Sequence, residues 1–203
     1  MVAILTGDIV NSREVSTETW LKELKYALTF YGEERRDWEV FRGDSFQLRV
    51  NVDEGLSAAL RIKAVLKQIK ELDVRIAIGI GEMDFDGDRI TESNGSAFSL
   101  SGECFENLKK SKLHIKSPWE DFDFVINLML DLAALTIDNW TPVSAKFILL
   151  ALTHPELNQV ELAEKLNKKS QGTISEGLKR GGYEEIQKLL VYYLEETKKR
   201  CSS

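Results

Sequence analysis

Residues 38–50 read WEVFRGDSFQLRV. Residues 38–41 and 46–50 are rich in aromatic and β-branched side chains, and Phe46, Leu48 and Val50 alternate with polar residues. Period-two alternation marks a strand with one buried face. Arg42-Gly43-Asp44-Ser45, between the two runs, places a glycine at the bend, so the stretch predicts a β-hairpin. Upstream, Trp20, Leu24, Ala27, Leu28 and Tyr31 recur at spacings of three and four, which is one face of a helix. Ser16 or Thr17 suits its start and Gly32 its stop. Downstream, Leu56, Leu60, Ile62, Leu66 and Ile69 predict the buried stripe of a second helix.

Strands flank this helix–hairpin–helix unit. Residues 2–5 are an apolar run that meets a polar turn at Gly7-Asp8. In residues 74–80, Val74, Ile76, Ile78 and Ile80 alternate with Arg75, Ala77 and Gly79, giving one crowded face and one face of mostly small residues. Residues 98–108 predict a helix and 113–115 a short strand. The order β-α-β-β-α-β, with additions, is the ferredoxin-like pattern, and an α+β domain is expected over residues 1–117. Pro118 and Trp119 mark a boundary. Residues 118–138 predict a connecting helix. Residues 139–203 predict an all-α domain that opens with Thr141 as cap and Pro142 at the first helical position. The linker is not flexible by composition, so the two parts are expected to pack together.

The chain has 203 residues, 43% hydrophobic and 30% charged, which suits a globule with a real core. Net charge is −6, yet residues 140–203 carry ten basic against eight acidic side chains. Contact with a polyanion therefore belongs to the C-terminal part. Cys104 and Cys201 are far apart and match no metal spacing, so they read as reduced thiols in a cytoplasmic protein. No run reaches the roughly 18 apolar residues of a membrane span. Asp84, Asp86 and Asp88 alternate, but Arg89 and Gly95 stand where an EF-hand needs Gly and Glu, so a solvated turn is expected. His114 and His154 stand without a nucleophile in motif context and read as structural or surface residues.

Asp8 closes the first strand and Asp44 tips the hairpin. If those strands are neighbours, both carboxylates project to one edge of the sheet. Two nearby carboxylates favour a shared proton or a divalent cation. The turn Ile9-Val10-Asn11-Ser12-Arg13 offers backbone N–H groups and a guanidinium, which can cradle phosphates. The alternative is ordinary turn chemistry, with Asp8 as a cap and Asp44 at a bend.

GDIVNSR (7–13) resembles the metal-binding segment of class III adenylate and guanylate cyclases, and RGDSFQL (42–48) their second metal-binding hairpin. RIAIGIGE (75–82) resembles the strand that follows, and GSAFSLSGECFENL (95–108) the next helix. In order and spacing the segments resemble the bacterial SatD family, whose members join such a domain to a C-terminal helix-turn-helix. The resemblance implies Mg²⁺ held by Asp8, Asp44 and Ile9. It implies a nucleoside triphosphate on Val10, Asn11, Ser12, Arg13, Arg42 and Gly43. Active cyclases place an Asn and, four residues on, an Arg in that last helix. Aligned on Gly95, Ala97 and Phe98, those positions here are Ser99 and Glu103. A carboxylate there repels the charge that develops on the phosphates. The resemblance thus points to a degenerate sensor in a transcriptional regulator. A metal-dependent enzyme acting on a nucleoside triphosphate and a non-catalytic scaffold are the alternatives.

Residues 158–180 read NQVELAEKLNKKSQGTISEGLKR. Asn158 suits a cap, Val160, Leu162, Ala163 and Leu166 one apolar face, and Ser170 a second cap, with Ile174 and Leu178 facing inward. This framework resembles bacterial helix-turn-helix domains. If it binds double-stranded DNA, Gln171 and Thr173 face bases, while Lys168, Lys169, Ser170, Lys179 and Arg180 meet phosphates. A protein-contact role is the alternative. Tyr183, Ile186, Leu189, Leu190, Tyr192, Tyr193 and Leu194 form the face of a final helix that packs on this unit or meets a second copy. A homodimer is expected.

Overall fold

β1 (Val2–Val10) runs further than its apolar start suggests. The computed structural model describes residues 1–166 and 171–202, apart from the Gln171 side chain. Instead of turning at Gly7-Asp8, the strand passes through both residues, because it is paired antiparallel on each side. β3 (Ser45–Val50) flanks one edge and β4 (Asp73–Gly81) the other. A Cβ at Gly7 would stand 2.5 Å from Cζ of Phe46. Glycine there makes room for a ring and does not mark a turn.

β2 (Trp38–Phe41) pairs antiparallel with β3, and β5 (Leu113–Lys116) pairs parallel with β4, so the sheet order is β2-β3-β1-β4-β5. α1 (Thr17–Thr29) links β1 to β2, and α2 (Gly55–Leu66) links β3 to β4. Each connection steps over one strand, so two split β-α-β units interleave. The chain is an α+β protein with a mixed five-stranded sheet.

Alternation assigns the two faces. Ala3, Leu5 and Ile9 of β1, Phe46, Leu48 and Val50 of β3, and Val74, Ile76, Ile78 and Ile80 of β4 share one core with α1 and α2. The other face takes α3 (Ser96–Asn107), through Ala77, Cys104 and Leu108. α3 comes very close: a Cβ on Gly79 would lie 2.2 Å from the Ala97 carbonyl oxygen, and one on Gly81 2.6 Å from the Ala97 nitrogen. The small face of β4 is thus the seat of a helix. Ser101 Oγ hydrogen-bonds Thr6 Oγ1 across that contact at 2.8 Å.

α4 (Glu120–Ile137) was expected as a connector, but it lies against β5. Its Asn127 side chain takes the place of a missing strand: Oδ1 accepts from Ile115 N, and Nδ2 donates to Ile115 O, both at 2.8 Å. An edge strand is protected by such a cover.

α5 (Pro142–Thr153) starts as its sequence predicts, on a Thr141–Ser144 capping box with Pro142 in the first turn. α6 (Gln159–Lys165) starts on Asn158, whose Oδ1 accepts from Val160 and Glu161 nitrogens. α7 (Gln171–Arg180) packs on α5, where a Cβ on Gly177 would fall 2.0 Å from the Phe147 ring. α8 (Tyr183–Cys201) then returns to the sheet-bearing part. Tyr193, fully buried, donates to the Val52 carbonyl at 2.5 Å. Arg61 donates to the Leu152 carbonyl at 2.6 Å. One hydrophobic core therefore crosses the boundary expected between residues 117 and 139.

Burial of α2 is the largest departure from the expected stripe. Ala58, Ala59, Lys63, Ala64 and Val65 are buried as well, because α5 and α8 cover the side away from the sheet. Lys63 survives there by pairing. Its Nζ lies 2.7 Å from both Asp73 and Asp138, and Lys112 closes the group at 2.8 and 3.3 Å from the same two carboxylates. Burial pushes the Asp73 carboxyl up, but Lys63 and Lys112 outweigh it and hold the group below the usual carboxylate range. Among the described residues, no helix is long and apolar enough to cross a membrane.

Candidate functional site

The antiparallel registers bring the sequence-predicted site to one end of the sheet. Asp8 stands opposite Ser45 on β3 and opposite Arg75 on β4. The Asp44 carbonyl accepts from Ile9 N at 3.1 Å. Residues 42–44 turn the hairpin, with Arg42 and Gly43 at φ 50° and 93°. The tip then closes onto the turn after β1: Ser12 Oγ donates to Asp44 Oδ2 at 2.6 Å.

That turn is fixed from three sides. Asn11 sits in the left-handed region at φ 63°, which Asn tolerates better than most residues. Its Nδ2 donates to the Glu71 carbonyl at 3.0 Å. Trp20 of α1 donates from Nε1 to the Ser12 carbonyl at 3.2 Å. Arg13, Arg42 and Gly43 remain exposed around it. Val10 is half-buried at the strand end, and the Ile9 side chain is in the core, so Ile9 has only its carbonyl to offer a ligand.

The sequence reading missed Arg75. Its Nε and Nη2 hold Asp8 Oδ1 and Oδ2 at 2.9 and 2.5 Å, a bidentate pair. Its guanidinium carbon also stands 5.4 Å from the centre of the Phe105 ring on α3. Hydrogen bonding to Asp8 raises the Arg75 pKa further. Only the β1–β4 register could have signalled this partner, since the two residues are 67 apart in the chain. The consequence for a cation is direct. A metal at Asp8 would have to share the carboxylate with the Arg75 guanidinium, which already takes one lone pair on each oxygen, and among the described residues no three His, Cys, Asp or Glu side chains converge.

Ser99 and Glu103 lie on the exposed side of α3, away from the sheet-facing Ala97, Ser101 and Cys104. Glu103 forms an ion pair with Lys116. In the acidic loop, Asp86 pairs with Arg49 at 2.8 Å. His114 bonds Asp131 at 2.8 Å, and His154 bonds Lys165 at 3.0 Å.

In the helical part, Leu162, Ala163, Ile174 and Leu178 are buried as expected, Leu166 is half-buried, and Val160, expected on the same apolar face, is instead exposed. Thr173, Lys179 and Arg180 are exposed. Arg180 is spoken for in part, its Nη2 lying 2.6 Å from Glu176 Oε1. Lys168, Lys169 and Ser170, with the Gln171 side chain, lie outside the described residues. No protein-family model and no curated protein matches the chain.

Proposed function

We propose that the chain is a nucleotide-responsive regulator, in which the end of β1 takes a phosphorylated ligand and the helical part contacts DNA. What carries this reading is the closure of the hairpin tip onto the 11–14 turn through Ser12 and Asp44. It gathers a buttressed turn and two exposed guanidinium groups, Arg13 and Arg42, at one end of the sheet. Arginine forks suit phosphate oxygens. The interleaved split β-α-β units support a ferredoxin-like, cyclase-type reading of the sheet-bearing part. The resemblance to the SatD family adds the ligand class and Mg²⁺. The buried apolar face shared by α6 and α7 supports the helix-turn-helix reading.

Binding is tested by thermal melting with ATP or GTP, each with and without Mg²⁺. A ligand at a hundred times its Kd stabilises by about 2.7 kcal/mol. For a chain of this size that raises Tm by roughly 5–10 °C. Asp44→Ala frees the turn from the hairpin tip and is expected to abolish the shift. If millimolar nucleotide leaves the wild type unmoved under both ionic conditions, the sensor reading is wrong. Product analysis after incubation separates a binder from an enzyme. DNA contact is tested by the slope of binding against salt, which Lys168→Ala with Lys169→Ala should flatten by about two phosphate contacts.

A further inference from the structure

α4 presents an uncovered apolar stripe. Phe124, Leu128, Leu132 and Leu135 are 74, 53, 63 and 74% exposed. Their spacing of four, four and three keeps them on one side of the helix along most of its length. Leu132 also forms one wall of a groove of about 860 Å³ between α4, α7 and α8, where Met129, Ala133, Leu189 and Tyr192 continue the apolar surface.

We propose that this face binds a second copy of the chain, with the two α4 helices antiparallel across a two-fold axis. Self-complementarity is the first argument. A two-fold contact requires that residue i meet residue j and j meet i. Antiparallel seating about the middle of α4 puts Phe124 against Leu135 of the second copy and Leu128 against its Leu132. Area is the second. The four side chains expose roughly 450 Å² of apolar surface per copy, taking about 170 Å² for a fully exposed large side chain. An interface about 57% apolar would then bury about 800 Å² per copy, the size of a standard stable interface. Charge is the third. α4 carries Glu120, Asp121, Asp123 and Asp131 and no lysine or arginine, so the stripe itself offers no cation to an anionic lipid headgroup or a phosphate. Antiparallel seating sets the acidic first turns about 25 Å apart, at opposite ends of the helix pair.

Sedimentation of the full chain at 1–100 µM tests this. The wild type is expected to sediment at twice the chain mass, and Leu128→Glu with Leu132→Glu as a monomer. Both replaced residues are exposed, so the melting curve should keep its shape. The milder Phe124→Ala with Leu135→Ala should raise the dimer Kd at least tenfold, and it serves if the charged variant fails to fold. A wild type that stays monomeric at 100 µM overturns the proposal. So does a dimer that survives both α4 variants but dissociates on Val191→Glu, the exposed apolar residue of α8. Monomeric wild type that binds phosphatidylcholine vesicles would assign the face to lipid instead.

Discussion

Lys63→Met tests the account of the buried charges. The substitution keeps most of the apolar stem and removes the ammonium that lies 2.7 Å from both Asp73 and Asp138. Breaking a buried pair by deleting one partner costs about 3–5 kcal/mol, since the remaining charge stays desolvated. Lys112 still reaches both carboxylates, which argues for the lower end, about 3 kcal/mol. At 2–4 °C per kcal/mol that is a fall in Tm of roughly 6–12 °C. The pH dependence is the sharper readout. Asp73 is depressed in the folded state, so its stabilisation is complete above the unfolded carboxylate pKa of about 3.9 and is lost as pH falls through the lower folded value. Without Lys63 the folded value rises, and protonation relieves the variant sooner than the wild type. The gap in stability should therefore be widest at pH 7 and close between about pH 5 and 3. Circular-dichroism melts of both proteins across that range measure it. Lys63→Met with Asp73→Asn should recover part of the loss. A deficit under about 1 kcal/mol, or one that does not vary with pH, would refute the reasoning.

Gly79→Ala drives a methyl into the backbone of α3, 2.2 Å from the Ala97 oxygen, and should cost about 2–3 kcal/mol in urea denaturation. Gly102→Ala, in the same helix with nothing within 4 Å, should instead gain about 0.5–1 kcal/mol. Asn127→Ala strips both backbone partners from Ile115 and should lose about 1–3 kcal/mol. It should also make light scattering depend on protein concentration, because the β5 edge becomes free to pair. Burial pushes the Cys104 thiol up to about 12, so thiol titration at pH 8 should find Cys201 alone in the native protein and both cysteines in denaturant.

The elements were legible where one local signal settles them. The hairpin at 42–44, the small face of β4, and the caps at Thr141 and Asn158 follow from period, glycine and hydrogen-bonding side chains. Asp8 was misread as the end of a strand, because a polar residue after glycine is also what a turn looks like. What keeps it in β1 is pairing with residues 37 and 67 positions away, Ser45 and Arg75. Lys63 lies outside the stripe the sequence predicts as buried, because nothing near it in sequence announces that α5, α8 and two aspartates will enclose it. Convergence of Asp8 and Asp44 on one sheet end could be argued from strand order. That Arg75 would hold Asp8 could not, since it depends on a register that no local pattern specifies.

Tyr193 seals the entrance of α2, with its hydroxyl over Gly55 and bonded to the Val52 carbonyl. The lid over the start of α2 is thus supplied by a residue 141 positions downstream of the carbonyl it bonds, so α2 is covered only once α8 has docked. A nascent chain halted before residue 193 leaves the ribosome with the start of α2 uncovered, however complete its sheet. Such a truncated product should be cut by proteases faster than the longer chain, because the buried face of α2 that Tyr193 covers stays open to solvent.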